Sequence, residues 1–283
     1  MSINVLKYEE WKGTLLPVWY RFYSLFSTEI NKRLKSPWLW VVLMLGFFLS
    51  ISPGGFLSIL FGLIFGMTEL GDLSFQFYSL FQNGVMLFWF ILFTAVSSSG
   101  MIANDLSSKA ITLYFSKAIH RLDYIIGKFL VVNAVLSFLM LVPYLILILV
   151  AFLLSDASLG ELLYHTWLIP AILFSQIMLM LVFSSLCMFF SSMSENRTYA
   201  AIGLFTSFIM PLIVTEILYE ITENEKMYLL SPFSNLEQVM AKVYLQPLPY
   251  DFNWAYSLAF LIGMIFFCMA GVYFRLYIKE WSE

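Results

Sequence analysis

Charged residues are scarce in this sequence, and long runs of it contain none. Only 12% of the 283 residues are Asp, Glu, Lys or Arg, about half the share in an ordinary globular domain. Six stretches without any of them cover more than half of the chain: between Lys35 and Glu69, Asp72 and Asp105, Lys128 and Asp156, Glu161 and Glu195, Arg197 and Glu216, and Asp251 and Arg275. Each has at least about 18 residues, enough to cross a hydrocarbon core. This pattern excludes a water-soluble fold and predicts an all-α, polytopic membrane protein with six transmembrane helices.

A phosphate-binding loop is also missing. Gly127-Lys128 resembles the end of a Walker A motif, but that motif needs a glycine at position 122 and a Ser or Thr at position 129. Leu122 and Phe129 stand there instead. We therefore predict that the chain is not an enzyme, and that any ATP it depends on is bound by a separate subunit.

The sequence offers few side chains that could ligate a metal ion or a haem. His120 and His165 are the only histidines and fall on opposite sides of the predicted membrane, so they cannot both ligate one haem. Neither HExxH nor CxxC occurs. Cys187 and Cys268 lie inside predicted spans as packing thiols, and the 15 methionines are scattered as gap-fillers would be. We predict no catalytic residue, no metal, no cofactor and no nucleic-acid partner.

The charges that are present define a topology. If both termini are cytoplasmic, 13 of the 15 basic residues fall on the cytoplasmic side, and only Lys226 and Lys242 lie outside. Cytoplasmic loops carry an excess of Lys and Arg in membrane proteins. The pattern thus predicts a multi-pass protein of the cell membrane with both ends in the cytoplasm.

The chain is predicted to form one transmembrane domain, residues 1–283. Residues 15–35 have one apolar face and form an interfacial amphipathic helix, or simply a helix that anchors span 1. Span 1 starts after Pro37 and is interrupted at Ser52-Pro53-Gly54-Gly55, so Phe56–Gly66 either extends it with a kink or dips into the outer leaflet. Spans 2 to 6 cover about 77–101, 124–154, 163–191, 198–219 and 254–277. The outer loop 220–252 carries a short helix that starts at Ser231-Pro232.

The loop at 102–122, between spans 2 and 3, is the most informative polar segment. Ala103, Leu106, Ala110 and Leu113 share one side at helical spacing, which predicts a short helix across the cytoplasmic face. Asp105 and Lys109 fall on another side. With Lys117 and Arg121, they are predicted to be free for a partner or for each other.

This loop resembles that of the permease subunits of type-2 ABC exporters, the ABC-2 family. The family pattern runs from an acidic residue through a Leu-rich turn and Ser-x-Pro to Arg-x-x-Tyr-x-x-Gly-Lys. The matching residues are Asp105, Leu113-Tyr114-Phe115, Ser116, Arg121, Tyr124, Gly127 and Lys128. The chain departs from the pattern at Ala118, where Pro is usual, and around Lys109-Ala110, where Gly is common. Among subgroups it is most similar to permeases that serve copper-enzyme maturation, such as that of nitrous oxide reductase.

The resemblance implies a mechanism. Two permease subunits, identical or different, would form the pathway in the bilayer, and two ABC ATPase subunits would bind below. Segment 104–120 would be the coupling helix, and the turn from Ser192 to Arg197 a second contact. The ATPase-coupling residues would be Asp105, Ser116, Lys117, Arg121, Tyr124, Lys128, Glu195 and Arg197. From the residues alone, membrane anchoring with local ion pairing also explains Asp105, Arg121 and Lys128.

Two other functions stay open at this point. An ion-coupled secondary transporter or channel would place charged or broken-helix sites near the midplane, and only Pro211 and Glu216 hint at such a site. A non-transporting ABC membrane subunit that transmits force to an outer partner would use segment 220–252 as its working surface. An interfacial carboxylate is the simpler interpretation of Glu216.

Overall fold

The computed structural model describes residues 20–49, 56–66, 72–115, 120–154 and 159–282, and every regular element within these ranges is helical. A 3-10 helix, Glu225–Leu230, lies between Thr222 and Pro232. The α-helices are α1 (Tyr20–Leu34), α2 (Pro37–Leu49), α3 (Phe56–Ile64), α4 (Leu73–Gln82), α5 (Gly84–Ser98), α6 (Gly100–Ser107), α7 (Ala110–Phe115), α8 (Arg121–Met140), α9 (Val142–Leu154), α10 (Leu159–His165), α11 (Leu168–Met193), α12 (Arg197–Thr222), α13 (Pro232–Val243) and α14 (Trp254–Ser282). The predicted all-α fold is confirmed.

Five helical stretches in these ranges are long and apolar enough to cross a bilayer. They are Gly84–Ser107, Arg121–Leu154, Leu163–Met193, Arg197–Thr222 and Trp254–Lys279, and they correspond to predicted spans 2 to 6. α2 carries a shorter apolar stretch, Pro37–Gly46. The predicted interruption at Ser52-Pro53-Gly54-Gly55 lies outside the described residues, so the sixth crossing stays a prediction.

Span 2 is displaced from its predicted position. It was placed at 77–101, but a separate helix, α4, ends at Gln82, and a new helix begins at Gly84. Asn83 separates them: its backbone is extended, and its side chain accepts hydrogen bonds from the amides of Val85 and Met86. A side chain that caps a helix in this way satisfies amides that have no partner within the helix. At its other end the stretch continues to Ser107, so Asp105 belongs to the helix rather than to a free loop.

α11 organises the bundle, because it packs against α5, α6, α8, α12 and α14. In the stretch Leu163–Met193, 72% of the most apolar 18-residue window is buried inside the protein. The buried side includes several small polar residues, namely Ser175, Ser184, Ser185, Cys187, Ser191 and Ser192. Small residues let membrane helices approach closely. α11 therefore brings the other spans together along its whole length.

The amphipathic helix predicted at 15–35 is α1 in the described residues, while 15–19 lie outside them. α1 packs along α8 and also contacts α2. Gly127 of α8 marks a close approach, since a Cβ there would lie 2.8 Å from Leu25 Cδ2. A side chain at this position would press on α1, so the glycine lets the two helices lie together.

The short helix predicted before span 6 is confirmed as α13. Ser231 caps it by accepting a hydrogen bond from the amide of Ser234, and Pro232 occupies its first position. Leu236 and Met240 are fully buried, as their helical spacing predicts. α13 packs on α4 and α14, at the end of the bundle opposite α6 and α7. We refer to these as the α13 end and the α6 end.

Candidate functional site

A buried lysine lies at the α6 end. Lys128, on the second turn of α8, is 1% exposed. Its Nζ donates to Glu29 Oε1 of α1 at 2.9 Å and lies 3.0 Å from Asp105 Oδ2 of α6. One ammonium group therefore bonds carboxylates from two other helices. This trio of Glu29, Asp105 and Lys128 is called the buried ion cluster below.

Tyrosines complete the cluster. The hydroxyl of Tyr124, one turn before Lys128, donates to Asp105 Oδ2 at 2.7 Å. Lys128 Nζ also lies 5.5 Å from the centre of the Tyr124 ring, within the range of a cation–π attraction. The Tyr114 ring of α7 packs against Tyr124 at 5.5 Å between centroids. The aromatic rings thus cover the ions on the side of α7.

Neighbouring cations favour the ionised form of Glu29. Burial alone would raise the pKa of Glu29, but Lys128, together with Lys32 and Arg33, holds it below the ordinary value. An ion pair of this kind adds little net stability, because desolvation offsets much of the attraction. Removing one partner is costly, since it strands the other charge. The cluster therefore fixes the relative positions of α1, α6 and α8 more than it strengthens the fold.

The predicted coupling segment 102–122 is not one helix. α6 ends at Ser107, Lys109 adopts a left-handed backbone with φ of 54°, and α7 begins at Ala110. A left-handed residue just past a helix is a common way to end it. Ala103 and Leu106 face inward as predicted, at 0% and 4% exposure. The sequence predicts Asp105 to be free for a partner or for local ion pairing, and in the structure it is 8% exposed and paired with Lys128.

A second set of contacts joins the polar turns at this end to α14. The guanidinium of Arg121, at the start of α8, lies 4.7 Å from the centre of the Tyr277 ring. Lys279 Nζ donates to Glu195 Oε1 at 2.6 Å, in the turn between α11 and α12. Lys279 lowers the pKa of Glu195. The end of α14 therefore contacts both regions that were predicted to meet the ATPase.

The eight predicted site residues thus separate into groups. Asp105, Tyr124 and Lys128 are buried and bonded to one another, whereas Arg121 and Glu195 contact α14. Arg197 is exposed at the start of α12, and Ser116 and Lys117 lie outside the described residues. Sequence reasoning missed Glu29. The available signal was its spacing of seven residues from Phe22 and three from Phe26, which puts a carboxylate on the apolar face of α1.

A second polar cluster lies at the α13 end, where Glu237 accepts hydrogen bonds from Gln82 Nε2 and from the Tyr250 hydroxyl, each at 3.1 Å. The described residues contain no group of three His, Cys, Asp or Glu residues arranged to hold a metal ion. Glu216, near the α13 end of α12, accepts a hydrogen bond from the Tyr228 hydroxyl at 3.1 Å. That contact fits the interfacial role expected of this carboxylate.

The long apolar helices and the polar junction at one end define a polytopic α-helical membrane protein. A family model described as ABC-2 family transporter protein matches residues 23–278. The chain therefore belongs to the ABC-2 transporter family, whose members are non-catalytic transmembrane subunits. No curated protein matches the chain. The proposed link to copper-enzyme maturation stays a prediction.

Replacing Lys128 tests the buried ion cluster. We expect Lys128→Met to destabilise the purified protein by about 3–5 kcal/mol, because Glu29 and Asp105 are left as buried, unpaired carboxylates. The triple variant that adds Glu29→Gln and Asp105→Asn should recover most of this loss, since no charge is stranded. Thermal unfolding in detergent measures both. A triple variant at least as unstable as the single one would contradict the pairing.

Proposed function

We propose that this chain is the membrane-spanning permease subunit of an ATP-driven exporter, coupled to a separate ABC ATPase through the segment between α5 and α8. The buried ion cluster is the observation that carries the proposal. Lys128 joins α6, which leads into that segment, to α8 and α1. A push on α6 and α7 is therefore passed directly to the start of the next span.

Burial supports a division of the predicted coupling residues into two groups. Asp105, Tyr124 and Lys128 cannot contact a partner directly, so we assign them a positioning role. The surface available to the partner includes the turn at Ser107, Ser108 and Lys109 and the exposed residues Glu195 and Arg197. An ATPase moves the permease only through contacts that differ between its nucleotide states. These exposed polar residues supply such contacts.

The α6 end faces the cytoplasm in this proposal, with both termini on the same side of the cell membrane. Eight basic residues lie on helices or turns at that end, whereas Lys226 and Lys242 lie near α13. The eight are Lys32, Arg33, Lys109, Arg121, Lys128, Arg197, Arg275 and Lys279. The positive-inside rule assigns the basic end to the cytoplasm. ATP and its ATPase would be on that side.

A second permease subunit would pack on α12. Only 17% of the most apolar window of α12 is buried, close to the 22% of α14 and far below the 72% of the α5–α6 stretch and of α11. Ile202, Ile209, Ile213, Ile217 and Ile221 form an exposed stripe along it. A dimer around this face would enclose an apolar pathway between two copies or between two related chains.

The structure favours ATP-driven transport over ion coupling. Ionisable groups that bind coupling ions lie near the midplane, whereas Lys128 is seven residues, or about 10 Å, from the start of α8. Its ammonium is already bonded to two carboxylates, and one of them also accepts from Tyr124. This arrangement suits a rigid joint better than a site that must bind and release an ion.

The ATPase contact is tested by reversing a charge at the α6 end. The permease is co-expressed with its candidate ATPase, and the complex is isolated in mild detergent. We expect Arg197→Glu to weaken assembly by on the order of tenfold, because exposed interface charges set association and its salt dependence. Co-purification and the ATPase rate of the complex measure the effect.

Lys226→Glu is the matched control. It makes the same change of charge at an exposed position near α13 and should leave assembly unchanged. Equal effects of the two substitutions would contradict the assigned orientation. A chain that purifies without any nucleotide-binding partner under every mild condition would contradict the ABC assignment of function.

The dimer face is tested by cysteine cross-linking in native membranes. We expect Ile213→Cys to form a disulfide-linked dimer, because its side chain is 50% exposed on the α12 stripe. The native Cys187 and Cys268 are buried and give a low background. Leu149→Cys, at a 58% exposed position on α9, is the control. Cross-linking through position 149 but not 213 would place the interface elsewhere.

A further inference from the structure

The helical stretch that leads into the coupling segment is interrupted. α5 ends at Ser98 and α6 begins at Gly100, with Ser99 as a turn between them. Ser99 itself keeps helical dihedral angles, φ −58° and ψ −32°. The chain direction is thus retained, and the Ser99 amide still donates to the Ala95 carbonyl at 3.2 Å, while the two helices are separated at this single residue.

Ser191 of α11 occupies this interruption. Its hydroxyl accepts hydrogen bonds from the amides of Ile102 and Ala103, at 2.9 Å and 3.0 Å, and donates to the Ser99 carbonyl at 2.6 Å. A hydroxyl has one donor and two acceptor positions, so all three are used. In an uninterrupted helix the Ala103 amide would donate to the Ser99 carbonyl. Ser191 binds both of these groups.

Arg33 of α1 binds the same interruption from another direction. Its Nη1 donates to the Ser97 carbonyl at 2.7 Å, and its Nη2 lies 3.3 Å from Met101 Sδ. Arg33 is one helical turn from Glu29, which bonds Lys128. α1 therefore contacts both the interruption and the buried ion cluster one turn further along α6.

Other buried serines of α11 behave differently. Ser185 and Ser192 donate to carbonyls of their own helix, Val182 and Phe189, as serines inside helices commonly do. Ser191 instead bonds the backbone of α5 and α6. In membrane helices, a neighbouring Ser or Thr can satisfy backbone groups that a break has freed, and a break of this kind allows a helix to bend.

We propose that Ser191 and Arg33 are positioning residues that hold a hinge at Ser99–Gly100, about which α6 tilts relative to α5. The inference rests on the proposed function, because the tilt would carry ATPase movement into the bundle. In one state Ser191 bonds Ser99, Ile102 and Ala103. In the other, α5 and α6 form one continuous helix, in which the Ile102 amide donates to the Ser98 carbonyl and the Ala103 amide donates to the Ser99 carbonyl. Both states give these two amides an acceptor, so the contacts of a partner can select between them.

The hinge is tested in the purified permease without any ATPase. Spin labels are placed at Ser108, at the end of α6, and at Tyr199 on α12, both exposed. We expect Ser191→Ala to shift or broaden the distance distribution between them, because α6 is no longer held by α11. Ser191→Thr keeps a hydroxyl and should restore the wild-type distribution. Ser185→Ala removes another buried hydroxyl of α11, one that donates only to its own helix, and should change nothing.

Gly100→Ala is a second variant that should favour the continuous helix. Alanine favours a continuous helix, and its Cβ would meet the side chain of Asn104 at 2.7 Å, which is exposed and can move aside. It should shift the distance in the direction expected for Ser191→Ala. It therefore tests the hinge on its own if Ser191→Ala does not fold. Distributions for Ser191→Ala and Gly100→Ala that match that of Ser185→Ala would overturn the hinge.

A separate measurement keeps this outcome apart from the proposed function. The same distance is recorded in the wild-type complex with and without ATP. A nucleotide-dependent shift that is lost in Ser191→Ala supports both the hinge and the coupling. A shift caused by Ser191→Ala with no response to ATP in the wild type supports the hinge and contradicts ATP coupling through α6.

Discussion

The bond from Lys128 to Glu29 and Asp105 is the constraint on which the α6 end depends. It places an ammonium group where three helices meet, and neither carboxylate can move away without leaving a charge buried and unpaired. α1, α6 and the start of α8 are therefore positioned together. The exposed turn at Ser108 and Lys109 extends from this unit, so a partner that binds the turn acts on all three helices.

The other contacts at this end have the same character. Arg33 and Ser191 bind the interruption between α5 and α6 from two sides, and Lys279 joins α14 to the turn before α12. Charged groups are few in this chain, and the contacts described above lie mostly near places where helices end or break. The apolar spans provide packing, while the polar contacts determine which segments move together. An ABC-2 family membrane subunit needs such a division if force enters at one end.

Much of the fold could be predicted from the sequence, since charge-free runs set the spans and Ser231-Pro232 set the start of α13. The boundary at Asn83 was missed because a single capping side chain ends one helix and begins the next without a change in hydropathy. For Asp105 the sequence left contact with a partner and local ion pairing both open, because helical spacing cannot show that Lys128, 23 residues later, returns to neutralise it. Glu29 was missed for the same reason: tertiary contact decides whether a lone carboxylate on an apolar face is buried.

The central claim is that nucleotide binding moves α1, α6 and the start of α8 as one unit. Spin labels at Thr28 of α1, Ser107 of α6 and Lys242 of α13, all exposed, measure this in the complex with its ATPase. The account predicts that the distance from 28 to 107 is the same with and without ATP, while the distance from 107 to 242 changes. A change between 28 and 107, or no change in either distance, would contradict it.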